Sequence, residues 1–339
     1  MTKYDIVSIG DSFEDILVLP TDLKVKKDSS FASGFGVSFE LGEKIPLEDV
    51  NYSIGGSACN TAVAFSRLGL NSSVISVVGD DMASEKIFSK LKEEDVDASN
   101  IIVDKKMKTN FSVIFRMEEG RSIFVYRGLK DYSVLNIKKN VRSKWFFLAP
   151  LGENTTNIEN ELVAQISENN AFLAWNPGAL QIKKGASSFR NLLRNTAVLN
   201  LNREEAIKFM DYPVRPRIEE TLKRLHELGP KIVVITNGKN GAKAYDGKTY
   251  YEITALPHVV RVDSTGAGDS FAAGFISKLI LSDWNGMNED RGLIDEALRW
   301  GIINSNSVIT KIGAQKGLLT REELEKRVVS HYCLEIKSS

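Results

Sequence analysis

Apolar residues recur along this chain in two rhythms. Short continuous runs end at glycine or polar residues, and between them lie stretches whose apolar positions fall three and four apart. The first run, Tyr4-Asp5-Ile6-Val7-Ser8-Ile9, stops at Gly10 and reads as a buried strand. Residues 73–78, 145–149, 172–175, 197–200 and 232–236 repeat that signature. Helical spacing covers 57–68, then 83–94 with Ile87, Phe88 and Leu91 on one face, 158–169 and 217–228. The last third is mostly helical, over 268–281, 293–310 and 321–329, the final one opened by a Thr320/Glu323 capping box. Strands alternating with helices predict a mostly parallel sheet covered on both faces.

Two stretches leave this rhythm. Residues 21–49 mix lysine, serine and glycine with Phe31, Phe35, Val37 and Phe39, and the alternation over 36–41 predicts a half-exposed strand. Residues 110–126 read as a hairpin turning at Glu119-Gly120. Both are expected to form an excursion from the main sheet.

Composition narrows the class. Among 339 residues, Lys+Arg and Asp+Glu both number 44, so no overall basic surface points to nucleic acid. Two cysteines, Cys59 and Cys333, make neither a disulfide framework nor a zinc spacing. The opening residues carry Lys3 and Asp5 and do not resemble a signal peptide, and no run approaches the ~20 apolar residues of a bilayer span. The expectation is a soluble cytoplasmic protein with no membrane or nucleic-acid partner. His226, His258 and His331 are expected at the surface or in packing, Cys59 as a buried filler, and Arg127 and Lys130 as a solvated charge cluster.

The chemistry concentrates in Asp263-Ser264-Thr265-Gly266-Ala267-Gly268-Asp269, which runs straight into an apolar helix. Consecutive amides at a glycine turn and a helix start form an anion site, and Asp269 stands in the first helical turn. An anion cradle beside a carboxylate suits phosphoryl transfer: the acid takes a hydroxyl proton while the amides stabilise the moving group. Alone, the motif reads more simply as an ordinary glycine turn with a capping acid. A dinucleotide fingerprint is excluded because no third glycine follows at the right spacing. Gly247-Lys248-Thr249 imitates a Walker loop, but no helix follows and Asp246-Gly247 fits a hairpin turn.

Further motifs keep a constant order along the chain. Gly55-Gly56-Ser57-Ala58-Cys59-Asn60 precedes a small-residue helix, and Asn202-Arg203-Glu204-Glu205, Thr236-Asn237-Gly238-Lys239-Asn240-Gly241 and Thr310-Lys311-Ile312-Gly313-Ala314 follow. Together with the Gly-Ala-Gly-Asp turn they resemble the ribokinase/PfkB family of carbohydrate kinases across nearly the whole chain. The resemblance implies one ribokinase-like α/β/α domain over residues 1–335, with a small β lid formed by insertions at about 13–53 and 110–126. It implies Asp269 as general base, with Gly266, Ala267 and Gly268 as the anion hole. Asp15, with Asp11 nearby, and Gly55, Gly56 and Asn60 would hold the acceptor. Asn202, Thr236, Gly238 and Gly241 would line the ATP site, and Glu205 would hold Mg2+ through water. Asp263, Thr265, Val308, Lys311, Gly313 and Gly317 fall where many members bind a monovalent cation, here K+. Asn202 and Glu205 also fit a helix capping box, and Lys311 a surface cation near a helix end. Phe13 stands where ribokinases carry a polar substrate contact, so the acceptor is open between a sugar and a nucleoside. A catalytically silent ligand-binding relative is the reading from another class. Exposed Phe31, Phe35 and Phe39 suggest a homodimer through the lid.

Overall fold

Strand Tyr4–Ile9 alternates between two apolar layers. Ile6 packs toward the layer holding Phe65 and Phe147, whereas Val7 and Ile9 join the layer holding Leu148 and Trp175. The computed structural model describes residues 4–21, 23–31, 34–117, 120–129, 131–137, 141–257, 259–287, 291–330 and 336–338. Glu119, Lys130, His258, His331 and Cys333, all named above, lie outside the described residues.

Among the described residues the main sheet has nine strands. Ser72–Ile75, Tyr4–Ile9, Ser143–Leu148, Phe172–Trp175, Val198–Asn202 and Ile232–Thr236 lie side by side and parallel. Ala242–Tyr245, Tyr250–Ile253 and Ile336–Ser338 continue it antiparallel. The chain moves from Tyr4–Ile9 to one neighbour, Ser72–Ile75, and then returns to the other, Ser143–Leu148. That reversal opens a crevice at the carboxyl ends of the strands, where Gly10 and Asp11 emerge. The Asp246-Gly247 hairpin turn forms as expected, with Asp246 Oδ1 accepting from the Lys248 and Thr249 amides at 2.8 and 2.7 Å.

A second, four-stranded sheet runs Gly120–Tyr126, Asn110–Met117, Phe13–Pro20, Leu47–Gly55. Asp15 stands opposite Ser53 on one side and Ser112 on the other, and Ser112 opposite Val125. Strand periodicity therefore puts Asp15, Ser112, Ile114 and Arg116 on one face and Ile16, Tyr52, Phe115 and Phe124 on the other. Lys24–Lys27 pairs with Phe35–Ser38 as a separate ribbon, so the half-exposed strand read over 36–41 starts one residue earlier and has a partner that its lysines concealed.

Some boundaries differ from the sequence reading. The strand expected over 73–78 breaks at Ser76: Ser72–Ile75 stays in the main sheet, and Val77–Gly79 pairs with Ile102–Asp104 instead. Ser76 is drawn aside by Ser12 Oγ, which donates to its hydroxyl at 2.8 Å. The helix expected over 293–310 runs Arg291–Val308. His226 packs edge-on against Tyr245, as a packing residue should.

One polar staple joins three segments. Arg67, ending helix Ser57–Arg67, donates to both carboxylate oxygens of Glu94 at 2.7 Å and to the carbonyls of Gln315 and Leu318 at 3.1 and 3.0 Å. Arg67, with Lys90 adding to it, holds the Glu94 carboxyl at about 2 despite its burial. A folded value below the unfolded one means this stabilisation is complete above the ordinary glutamate range and is lost as pH falls toward 2. Glu94→Gln should lower the urea-unfolding free energy by about 1.5–3 kcal/mol at neutral pH. The difference from the parent should shrink steadily in acid; a gap that stays constant down to the acid limit would refute the assignment.

Candidate active site

The glycine turn is set by packing. Gly266 has φ 75°, and a Cβ there would sit 2.6 Å from that of Ala314. Only glycine meets both conditions. Helix Ala267–Leu281 starts at once, and its first amides have no intrahelical acceptor. The Ala267 amide reaches back to the Ser264 carbonyl at 3.3 Å. Nothing lies within 4 Å of where a Gly268 side chain would project, so the helix start faces open space.

Asp269 lies in that first turn. Asn60 Nδ2 donates to its Oδ2 at 2.9 Å, and Gln315 Nε2 donates to Asn60 Oδ1 at 3.0 Å, which fixes the amide's orientation. Burial raises the Asp269 carboxyl above the ordinary range, while the bonds from Asn60 and Ser57 pull it partly back. A carboxylate so placed is a stronger base than a solvated one.

Asp15 comes from the second sheet. Burial raises it as well, a bond from Ser112 Oγ at 2.6 Å opposes this, and the nearby charges of Asp263 and Asp269 push it further up. A Cβ at Gly55 would overlap the Asp15 carboxylate, and one at Gly56, with φ 85°, would strike the Asp11 carbonyl. The glycine pair thus lets this sheet close onto the start of helix Ser57–Arg67.

Asp11 does not stand open. It is 5% exposed and accepts from the Arg127 guanidinium and the Tyr132 hydroxyl. Burial still raises its carboxyl, with Arg127 and Tyr132 opposing. This corrects the expectation for Arg127: it is an inward-facing partner of Asp11, lying over the Phe13 ring at 5.3 Å, and not a solvated charge. Cys59 is the buried filler expected, its thiol pushed up to about 12 by burial.

Thr236, Gly238 and Gly241 border a cavity of about 270 Å³ that reaches Ala267 and Gly268. Lys239, inside that motif, and Arg261 and Asn306 also line it; the sequence reading gave none of them a role, and Arg261 on a loop and Asn306 on a helix lie outside the motif spacings. Gly241 has φ 82° where the chain turns from Ile232–Thr236 into Ala242–Tyr245. Asn202 and Glu205 form the capping box, each side chain accepting the other's backbone N–H at 2.9 Å. Burial raises the Glu205 carboxyl, and Asp269 is close enough to add to the effect.

Mg2+ has one observation in its favour. Asn200 Oδ1 is buried without a partner, on the sheet face that Ala267–Leu281 covers. A hydrated cation would satisfy such an orphaned acceptor.

The remaining candidates adjoin one another. Gly313 N–H donates to Asp263 Oδ2 at 3.0 Å, Lys311 N–H to the Val308 carbonyl at 3.0 Å, and Gly317 packs on the backbone of Ser307 and Val308. Thr265 donates to Asp263 through N–H and hydroxyl at 2.9 and 2.8 Å. Arg121 of the second sheet also reaches Asp263 and Thr265, a contact no local pattern announces. Burial tends to raise Asp263, yet these bonds hold its carboxyl below the ordinary range.

Comparison with known proteins places this geometry. The model of the pfkB family carbohydrate kinases matches residues 31–321. A nucleoside kinase of Methanocaldococcus jannaschii is 26% identical over 302 residues, covering 85% of this chain and 92% of that protein. An ATP-dependent 6-phosphofructokinase of Thermoanaerobacterium thermosaccharolyticum is 25% identical over 295 residues, covering 82% of each. The structure of Arabidopsis thaliana ribokinase complexed with ribose and ATP superposes with a TM-score of 0.77, at 18% identity, over 96% of this chain and 98% of that one.

The Asn60 bond sets a measurable property. Removing a donor to an ionised carboxylate raises its pKa. In Asn60→Ala the Asp269 carboxyl should therefore titrate at higher pH than in the parent, where it already lies above solvated aspartates. Carboxyl-carbon NMR titration reads both values, and an unchanged or lowered Asp269 midpoint in the variant would remove Asn60 from its control.

Proposed function

The chain belongs to the pfkB family of carbohydrate kinases, and we propose that this ATP-dependent phosphotransferase uses Asp269 to prime an acceptor hydroxyl held by Asp15. One observation carries the assignment. A half-buried carboxylate, oriented by Asn60 and close enough to Asp15 to act on its charge, follows directly on a helix start that opens at Gly268 onto the Thr236–Gly241 cavity.

In this reading ATP occupies that cavity with its phosphates toward Gly266–Gly268. The acceptor lies against Asp15, Gly55, Gly56 and Asn60. Asp269 takes the hydroxyl proton as the oxygen forms its bond to the γ-phosphorus. The bond from that phosphorus to the bridging oxygen breaks, and ADP leaves with the electron pair. The free amides at the helix start stabilise charge on the transferred group. Bound Mg2+ would neutralise phosphate charge, held by Glu205 through water with Asn200 nearby. K+ would sit where Asp263, Val308 and Gly313 adjoin, bound mainly by carbonyls.

We assign the four-stranded sheet as a lid over the acceptor, excluding water from the phosphoryl group. Its outer face exposes Tyr52 by 61% and Phe124 by 59%, which supports a homodimer through the lids. Use of ATP as donor supports a cytoplasmic location, and among the described residues no helix is long and apolar enough to cross a membrane.

Asp269→Asn should lower kcat by ~10²–10⁴ with nucleotide affinity nearly unchanged. Coupled ADP detection over sugars and nucleosides, beside ATP-binding calorimetry, reads both. Near-parental turnover in the variant would remove Asp269 from the mechanism, and ATP binding without turnover on any acceptor would favour a silent relative.

A further inference from the structure

The lid's inner face carries a charge arrangement that a neutral acceptor leaves unexplained. Arg116 and Arg121 stand directly opposite each other across the antiparallel pair Asn110–Met117 and Gly120–Tyr126. Like charges in that position repel. Arg261, just before the catalytic turn, faces them across a cleft of about 430 Å³ that Leu17, Ile114 and Asp263 also line. Asp263 takes Arg121, but neither Arg116 nor Arg261 has a carboxylate at ion-pair distance among the described residues. Among the described residues, three guanidiniums and one carboxylate leave Arg116 and Arg261 without a countercharge along this cleft, with planar donors suited to phosphate or carboxylate.

The cleft adjoins the acceptor site. Leu17 follows Asp15 on the same face of one strand, and Ile114 and Arg116 follow Ser112 on the next. Each such step is about 7 Å, within reach of an arginine side chain and close to the length of a six-carbon chain. The Arg121 charge also acts on Asp15 directly, lowering its carboxyl against the effect of burial. A hydroxylated molecule held at Asp15 can therefore present a group at its far end to Arg116 and Arg121.

We propose that the acceptor is itself an anion, a phosphorylated sugar or a sugar acid, whose charged group is bound chiefly by Arg116, with Arg121 shared between that group and Asp263. This rests on the kinase reading and narrows its acceptor class. Arg261 also lines the nucleotide cavity, so the phosphates of ATP are the competing source of the same chemistry, and the test must separate the two.

The probes are fructose 6-phosphate, 2-keto-3-deoxygluconate, fructose, ribose and adenosine, each with MgATP and coupled ADP detection on the full chain. An anionic probe should be turned over with kcat/KM at least ~100-fold above the neutral ones, in line with charged hydrogen bonds. Arg116→Ala should raise KM for that probe by ~10–100-fold and leave KM for ATP within about twofold, with Arg116→Lys partly restoring it. Calorimetric binding of fructose 6-phosphate and 2-keto-3-deoxygluconate without ATP should weaken in the same variants, whose folding is checked by thermal unfolding. Preference for fructose, ribose or adenosine, unaffected by the variants, sinks the inference and leaves the kinase intact. A parallel rise in KM for ATP assigns the arginines to the nucleotide and sinks it too. If no probe is turned over, the kinase reading is in question, and calorimetry alone decides whether the arginines hold an anion.

Discussion

The hydrogen bond from Asn60 to Asp269 is the constraint on which the site depends. A carboxylate removed from water tends to take up a proton, and each donor aimed at it resists that tendency. With too few donors the acid is neutral at working pH; with too many it is a weak base. Asn60 supplies a middle course, and it can do so only because its amide is held the right way round by Gln315. Gln315 in turn lies on the segment whose carbonyls Arg67 grips while it also binds Glu94. The basicity of one side chain is thus tied to the packing of helix Ser57–Arg67 against the end of Met82–Glu93. The same helix begins at the glycine pair that admits Asp15, so Asp15 and Asp269 are both referenced to one rigid element.

Acidic groups crowd this end of the sheet, and the structure treats each differently. Asp11 is neutralised by Arg127 and Tyr132. Asp263 is held ionised by two amides, a hydroxyl and Arg121. Glu205 is engaged in its capping box. Burial raises Asp11, Glu205, Asp15 and Asp269 alike, but Asp15 and Asp269 are neither ion-paired nor engaged in a cap and accept only from neutral side chains. These two are also the ones facing the space where a hydroxylated molecule would lie. The under-compensated acids are the pair suited to bind and activate a hydroxyl, because a hydroxyl proton supplies the donor each lacks.

What could be read from the chain was local. The Gly-Ala-Gly-Asp turn, the Asn202/Glu205 box and the Asp246-Gly247 hairpin each specify their conformation within a few residues, by φ, capping or turn chemistry. The parallel sheet was legible for the same reason, since its buried strands are continuous apolar runs. Long-range pairings were not. Asn60 and Asp269 are 209 residues apart and Arg121 and Asp263 are 142, and no spacing rule connects them. Arg127 reads as a surface charge beside Gly128 and Asp131 until the fold brings Asp11 beneath it. Lys24–Lys27 lacks an apolar pattern because its only partner is a solvent-exposed ribbon, and Ser76 gave no sign of interrupting its strand.

The two sheets divide the work by rigidity and charge. Asp269, Asn60 and the glycine turn sit on helices packed against the main sheet, where burial leaves little freedom. Asp15 and the inward arginines sit on a four-stranded sheet that is exposed along one edge strand. Arg121 joins the two, since it leaves that edge strand and ends on Asp263, the residue that also fixes the Gly313 amide and so the loop bearing Gln315. In the proposed lid motion, displacing this sheet would remove the cation from Asp263 without disturbing any bond inside the helices. The loop that carries Gln315, and through it Asn60, would then be coupled to the position of that sheet by the Arg121–Asp263 contact.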